Sequence, residues 1–187
     1  MGRTRDRLIS PLALLAAAAL SGAIAGASLP PREYQVKAAF LYNFARFTEW
    51  PGASFSSSKE PLTICVIGED PFQTDLDEAV KGKLAGEREI LVRRLNSGAA
   101  GTCQMAFVST SERKRYRRLL DSLAGSGVLT VGDGAGFAQA GGVVNLVLDG
   151  GTIRFEINLD AAERAHLKIS SAVLGLAKIV HDSGNPK

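Results

Sequence analysis

Four short strand candidates, three of them apolar runs, alternate with helix-like stretches and constrain this chain more than any other feature. They are Leu62–Ile67 ("LTICVI"), Glu89–Leu95 ("EILVRRL"), Met105–Val108 ("MAFV") and Val128–Val131 ("VLTV"). A brief, continuous, branched run fits a strand covered on both faces, where neither side needs to alternate toward water. After the first run, Asp70 and Pro71 read as the cap and first-turn proline of a helix reaching about Val80. After the third, Ser109-Thr110-Ser111 opens a helix to about Leu123. Parallel neighbours need a crossover, so this alternation predicts a mostly parallel sheet with helices on both faces.

The pattern then changes. Val143–Leu148 and Thr152–Leu159 flank Asp149-Gly150-Gly151, a strong hairpin signal. The second arm, "TIRFEIN", alternates cleanly: Ile153, Phe155 and Ile157 fall on one face, Arg154, Glu156 and Asn158 on the other. Asp160 then reads as the cap of a helix from Ala161, and "ISSAVLGLAKIV" reads as an apolar C-terminal helix. The expected architecture is α/β: a single-domain three-layer sandwich, mostly parallel, with a C-terminal antiparallel hairpin.

Lys37–Pro51 ("KAAFLYNFARFTEWP") carries five of the twelve aromatic residues. Tyr34–Trp50 reads as a helix that Pro51 stops, with Val36, Phe40, Phe44 and Phe47 in one apolar stripe. That stripe reads as core. Tyr42 and Trp50 lie off it, which makes them the candidates for contact with a partner, although Trp50 fits equally well as a closure of the helix end.

The first residues read as a leader. Arg3, Arg5 and Arg7 precede an Ala- and Leu-rich run from Leu12 to Ile24, and small residues follow. This is the order of a secretory signal peptide over residues 1–27. The run is shorter than the roughly 20 residues that span a bilayer. The whole chain has 22 basic and 19 acidic residues, net +3; without the leader's three Arg and one Asp, 19 face 18 and the net is +1. So little charge gives no ground for nucleic-acid binding. In an exported chain two cysteines most often pair, and Cys65 and Cys103 are the only two. The only histidines, His166 and His181, are not at ligand spacing, so a metal site is a poor rival.

Residues that could carry chemistry are few. The loop "GDGAGFAQAGG", Gly132–Gly142, is glycine-rich but lacks the full dinucleotide fingerprint, and it reads as structural. On "SERKRYRRLL", Arg113, Lys114, Arg117 and Arg118 form a basic flank, read as a solvated helix face with an anionic ligand or a membrane headgroup as the alternative. Arg154, Glu156 and Asn158 read as a surface ion pair or as a polar row for a ligand. There is no G-x-S-x-G elbow, and no buried carboxylate can be nominated beside a histidine. No catalytic residue, metal ligand or cofactor is expected.

Taken together, "YQVKAAFLYNFARFTEWP", "LTICVIGEDPF", "VLTVGDGAGFAQAGGVVNLV" and "IRFEINLDAAERAHLKISSAVLGLAKIV" resemble the YfiR-like family of periplasmic proteins. The likeness defines a domain over residues 34–181. It implies a periplasmic regulator rather than an enzyme. Its best-described member represses an inner-membrane diguanylate cyclase through that protein's periplasmic domain, and an outer-membrane peptidoglycan-associated lipoprotein sequesters the repressor. The output is cyclic di-GMP, which controls biofilm formation. Homodimers are a further implication. The Cys65–Cys103 pair matches one family disulfide; the second pair of the described repressor has no cysteines here. The alternative is a periplasmic small-molecule-binding sensor.

Overall fold

A computed structural model describes residues 32–95 and 102–182. The leader expected over residues 1–27 lies outside that range. Chain order begins with α1 (Arg32–Phe47), β1 (Thr48–Glu49), β2 (Leu62–Ile67), α2 (Asp75–Val80), β3 (Leu84–Ala85), β4 (Arg88–Leu95) and β5 (Met105–Val108). A 3-10 stretch, Thr110–Arg115, leads into α3 (Tyr116–Leu123) and β6 (Leu129–Gly132). The hairpin strands are β7 (Val144–Asp149) and β8 (Thr152–Asn158). Then come α4 (Leu159–Arg164), β9 (Lys168–Ile169), α5 (Ser171–Leu174) and β10 (Lys178–Val180).

The main sheet has eight strands in the order β10-β8-β7-β6-β5-β2-β4-β3. Its central five are parallel and run 2-1-3-4-5 in order of appearance, the doubly wound arrangement. Only β7–β8 and β3–β4 are antiparallel. Every residue of β2, β5 and β6 is buried, as continuous apolar runs require. β4 is half-exposed, because only the two residues of β3 lie beyond it.

Alternate residues on the strands feed two cores. Ile64, Val66, Met105 and Phe107 meet α1, α2 and α4, whereas Ile67, Ala106 and Val108 meet α3 and Phe137. The sheet thus has helices on both faces. At the hairpin tip, Gly150 (φ 55°) and Gly151 (φ 81°) both take positive φ, as a two-residue primed turn demands.

Several local expectations are corrected. α1 ends at Phe47, not Trp50, because Thr48 and Glu49 pair antiparallel with Ile169 and Lys168. The aromatic stripe sits at the margin of the buried face, so Val36 is 43% and Phe47 38% exposed. The centre of that face is Ala38, Leu41 and Ala45, whose modest size lets the helix lie close to the sheet. α2 begins at Asp75; Asp70 instead accepts from the Phe72 amide, and Gln73 turns the chain at φ 52°. α4 is capped by Asn158, not Asp160: its Oδ1 accepts from Ala161 N at 3.0 Å.

The long C-terminal helix does not form. α4 stops at Arg164, and His166 takes φ 54° beyond it. The apolar residues that follow are divided among β9, a single turn and β10, which pairs parallel with β8 along Glu156–Asn158. The sheet edge gives the backbone of Lys178–Val180 strand partners, and this outweighs the sequence's helical periodicity.

Candidate functional site

Cys65 on β2 and Cys103 just before β5 form a disulfide, with Cα atoms 6.0 Å apart, buried at the sheet. The next residue, Gln104, is a buried clamp. Its side chain accepts from Thr63 N at 2.8 Å and donates to Ser54 O at 2.7 Å. Its backbone carbonyl accepts from Trp50 Nε1 at 2.8 Å. The polar end of Trp50 is therefore committed to this clamp, and its ring packs against the main core. Tyr42 is half-buried on the side of α1, with Lys83 Nζ 4.6 Å and the Arg46 guanidinium 5.6 Å from its ring centre.

One flank of α1 carries exposed apolar side chains where a surface helix is usually polar, with exposed Asn43 among them. Val36 and Phe47 are open, and Phe40 between them leans on Phe155 of β8 with ring centres 5.5 Å apart. At the end of this ridge lies a shallow hollow lined by Arg46, Phe47, Glu49, Lys168 and Ile169.

The Arg154, Glu156, Asn158 row is divided among three environments. Among the described residues Arg154 pairs with Asp149 alone, at 3.0 Å and exposed. Glu156 accepts from Lys178 at 2.9 Å and from Gln139 and Asn145 at 3.3 Å each. Burial opposes its ionisation, but those donors win and hold the carboxyl below the usual range. Asn158 is fully buried, donating to Ala138 O at 2.7 Å and to Asp182 Oδ1 at 2.6 Å. An alternating strand puts the three on one face, but the sheet edge and the cap of α4 draw Asn158 inward.

Gln139 and Asp182 belong also to the wall of a cleft of about 360 Å³ between α3 and α4. Nothing in the local sequence marks Gln139, and only the basic run on α3 hinted at this side of the molecule. A second polar group that sequence reasoning missed ties α1 to the end of β6. Lys37 Nζ lies 2.7 Å from Asp133 Oδ2 and 2.6 Å from Glu33 Oε1, and Tyr34 donates to Asp133 at 2.9 Å. Burial first, then the Asp133 charge, raises the Tyr34 hydroxyl pKa.

The glycine-rich loop is packing, not a phosphate cradle. A Cβ on Gly132 or Gly142 would stand 2.5 or 2.2 Å from the Phe137 ring, and one on Gly134 would meet Tyr116 Oη at 2.5 Å. Among the described residues no three acidic, histidine or cysteine side chains group as metal ligands, and no helix is long and apolar enough to cross a membrane. His166 lies past the end of α4, and His181 Nδ1 is 3.1 Å from Asp160.

These features define a disulfide-linked, doubly wound α/β protein with an apolar ridge on its first helix. The family described as DUF4154, YfiR/HmsC-like, matches residues 34–178, and the chain belongs to it. It is a family of periplasmic, non-catalytic regulators associated with diguanylate cyclases. Among solved structures, the chain is similar to the ABC domain in complex with L-Trp from Streptococcus pneumonia at 14% identity. That match covers 64% of this chain and 55% of the other, with a TM-score of 0.49. It is also similar to a conserved domain protein from Vibrio cholerae O1 biovar El Tor at 14% identity, covering 63% and 54%, with a TM-score of 0.45. The chain spans about half the length of these structures, and likeness at this level carries no weight for function.

Proposed function

We propose that this protein is a periplasmic repressor that binds the periplasmic domain of an inner-membrane diguanylate cyclase and lowers cyclic di-GMP. The observation that carries the reading is the family match over residues 34–178. The buried disulfide suits an oxidising compartment. A repressor of this kind works by mass action: it binds the inactive state of its target more tightly and shifts the equilibrium by that difference. A peptidoglycan-associated outer-membrane lipoprotein would reverse the effect by competing for the repressor, and a homodimer would present two copies of the binding surface.

The docking surface in this reading is the open flank of α1. Val36, Phe40 and Phe47 supply apolar anchors, and Tyr42 and Arg46 supply a rim. Trp50 contributes by fixing the end of the helix through Gln104. Deleting the gene should raise cyclic di-GMP, and the wild-type protein should restore it. Phe47→Ser and Tyr42→Ala, each still folded, should restore it poorly and recover less of the cyclase on co-purification. Unchanged cyclic di-GMP on deletion would refute the cyclase reading.

A second reading, a small-molecule sensor, is favoured by one observation: the cleft whose wall residues hold Glu156 and Asn158.

A further inference from the structure

The cleft between α3 and α4 has an unequal set of polar groups. Leu120, Leu123, Val128, Val143 and Ala161 give it apolar patches, and Thr130, whose hydroxyl accepts from Val143 N at 3.0 Å, lies among them. Five further polar side chains line it: Arg117 and Asp121 from α3, Gln139 from the glycine-rich loop, Arg164 from α4, and Asp182. Two of these are spent on each other, since Arg164 Nη2 donates to Asp182 Oδ1 at 3.3 Å and Asp182 also holds Asn158. Among the described residues, Arg117 makes no ion pair, and it shares the cleft with Asp121 one turn further along. Gln139 is half spent. Its Nε2 donates to Glu156 at 3.3 Å, while its Oε1 is buried with no partner.

A buried amide oxygen without a donor is an unmet acceptor, so this position favours an incoming N–H or O–H. A guanidinium without an ion pair at the wall of a cleft favours a carboxylate, which it grips with two parallel hydrogen bonds. The volume, about 360 Å³, is that of a small organic molecule. Together the three requirements fix a chemical class.

We propose that this cleft binds a small amphipathic carboxylate whose apolar body lies on the cleft's apolar patches, with its carboxylate on Arg117 and an O–H or N–H donor on Gln139 Oε1. Asp121 limits the net charge such a ligand can carry: a second anionic group would sit against the carboxylate of Asp121. The site stands on its own geometry and holds whether or not the partner is a cyclase.

The test uses the purified, oxidised chain without any partner, titrated by calorimetry and ligand-observed NMR. The probe is 4-hydroxyphenylacetate, with its neutral amide and plain acetate as comparisons. Saturable binding of the hydroxyaryl carboxylate is expected, with the amide weaker by about tenfold and acetate weaker still, since one charge-assisted contact is worth about that factor. Arg117→Gln should reproduce the tenfold loss, and Gln139→Leu should weaken binding several-fold. Arg118→Gln, on the same exposed helix, should change nothing. Melting curves check that each variant folds, and Arg117→Lys, which keeps the charge but not the fork, should fall between wild type and Arg117→Gln. Failure of the probe to saturate at millimolar concentration, or equal binding by wild type and Arg117→Gln, would overturn the proposal. Neither result touches the cyclase reading, which is measured in cells.

Discussion

Lys37 Nζ sits 2.7 Å from Asp133 Oδ2 across 96 positions of sequence, and their side chains are only 3% and 2% exposed. This pair fastens the start of α1 to the carboxyl end of β6; Tyr34 also donates to Asp133, and Glu33 also pairs with Lys37. A buried pair is dear to break and weak as a net source of stability, because desolvation offsets most of the attraction. Asp133→Ala leaves the buried ammonium with Glu33 as its one charged partner and should lower unfolding stability, by less than the roughly 3–5 kcal/mol of a fully stranded charge. The double variant Lys37→Met, Asp133→Leu should recover most of that loss. Urea unfolding checks both, and a double variant no better than Asp133→Ala would show that the pair is not the cause.

The disulfide closes a separation of 38 residues. Chain-entropy reasoning puts its contribution at about 4 kcal/mol, with measured values often lower. Cys65→Ser with Cys103→Ser should lower the urea midpoint with the same far-ultraviolet spectrum at low denaturant. Reductant should have the same effect on the wild type and none on the variant.

Phe137 fills the space above Gly132 and Gly142, and a methyl at Gly142 would come within 2.2 Å of its ring. Gly142→Ala should therefore cost about 1–3 kcal/mol through overpacking. At Gly52 nothing lies within 4 Å, and Gly52→Ala should be neutral or slightly stabilising. Thermal melts of the two variants give the contrast directly.

Two tyrosines set an alkaline limit. Burial first, then the charge of Asp133, pushes Tyr116 up to about 12, and Tyr34 moves in the same direction. Between the ordinary tyrosine value and these raised values the folded state binds more protons than the unfolded state. Stability is thus full below about pH 10 and falls as pH rises through the folded values. Stability curves should bend downward above pH 10, and Tyr116→Phe should flatten part of the bend. On the acid side the sign reverses. Lys178, Asn145 and Gln139 outweigh burial at Glu156, and hydrogen bonds from Arg94 hold Asp77 low. Their contributions are present at neutral pH and disappear as pH falls through the depressed values. Lys178→Met should shrink the Glu156 part of that acid loss, lowering stability at neutral pH more than at low pH.

The class of fold was legible because it rests on runs that have only one good solution. "LTICVI" and "MAFV" have no polar face, so burial on both sides of a parallel sheet is the arrangement that removes them from water. Gly150-Gly151 announces its hairpin because few other residues take positive φ twice in succession. The pairing of Cys65 with Cys103 was legible because they are the two cysteines of the sequence.

What the sequence could not decide was set by neighbours distant along the chain. The aromatic stripe of α1 has the right period, but which side faces inward depends on Lys37 finding Asp133 and on Ala38 and Ala45 allowing close approach. "LGLAKIV" has helical spacing, yet the open edge of β8 supplies hydrogen bonds that a local pattern cannot anticipate. The cleft is likewise a product of assembly: Arg117, Gln139 and Asp182 come from three elements, and no spacing links them. Local composition thus set which segments leave water and what local shapes they prefer. Long-range packing set orientation, sheet edges and the meeting of polar groups, because those energies arise only when remote surfaces touch.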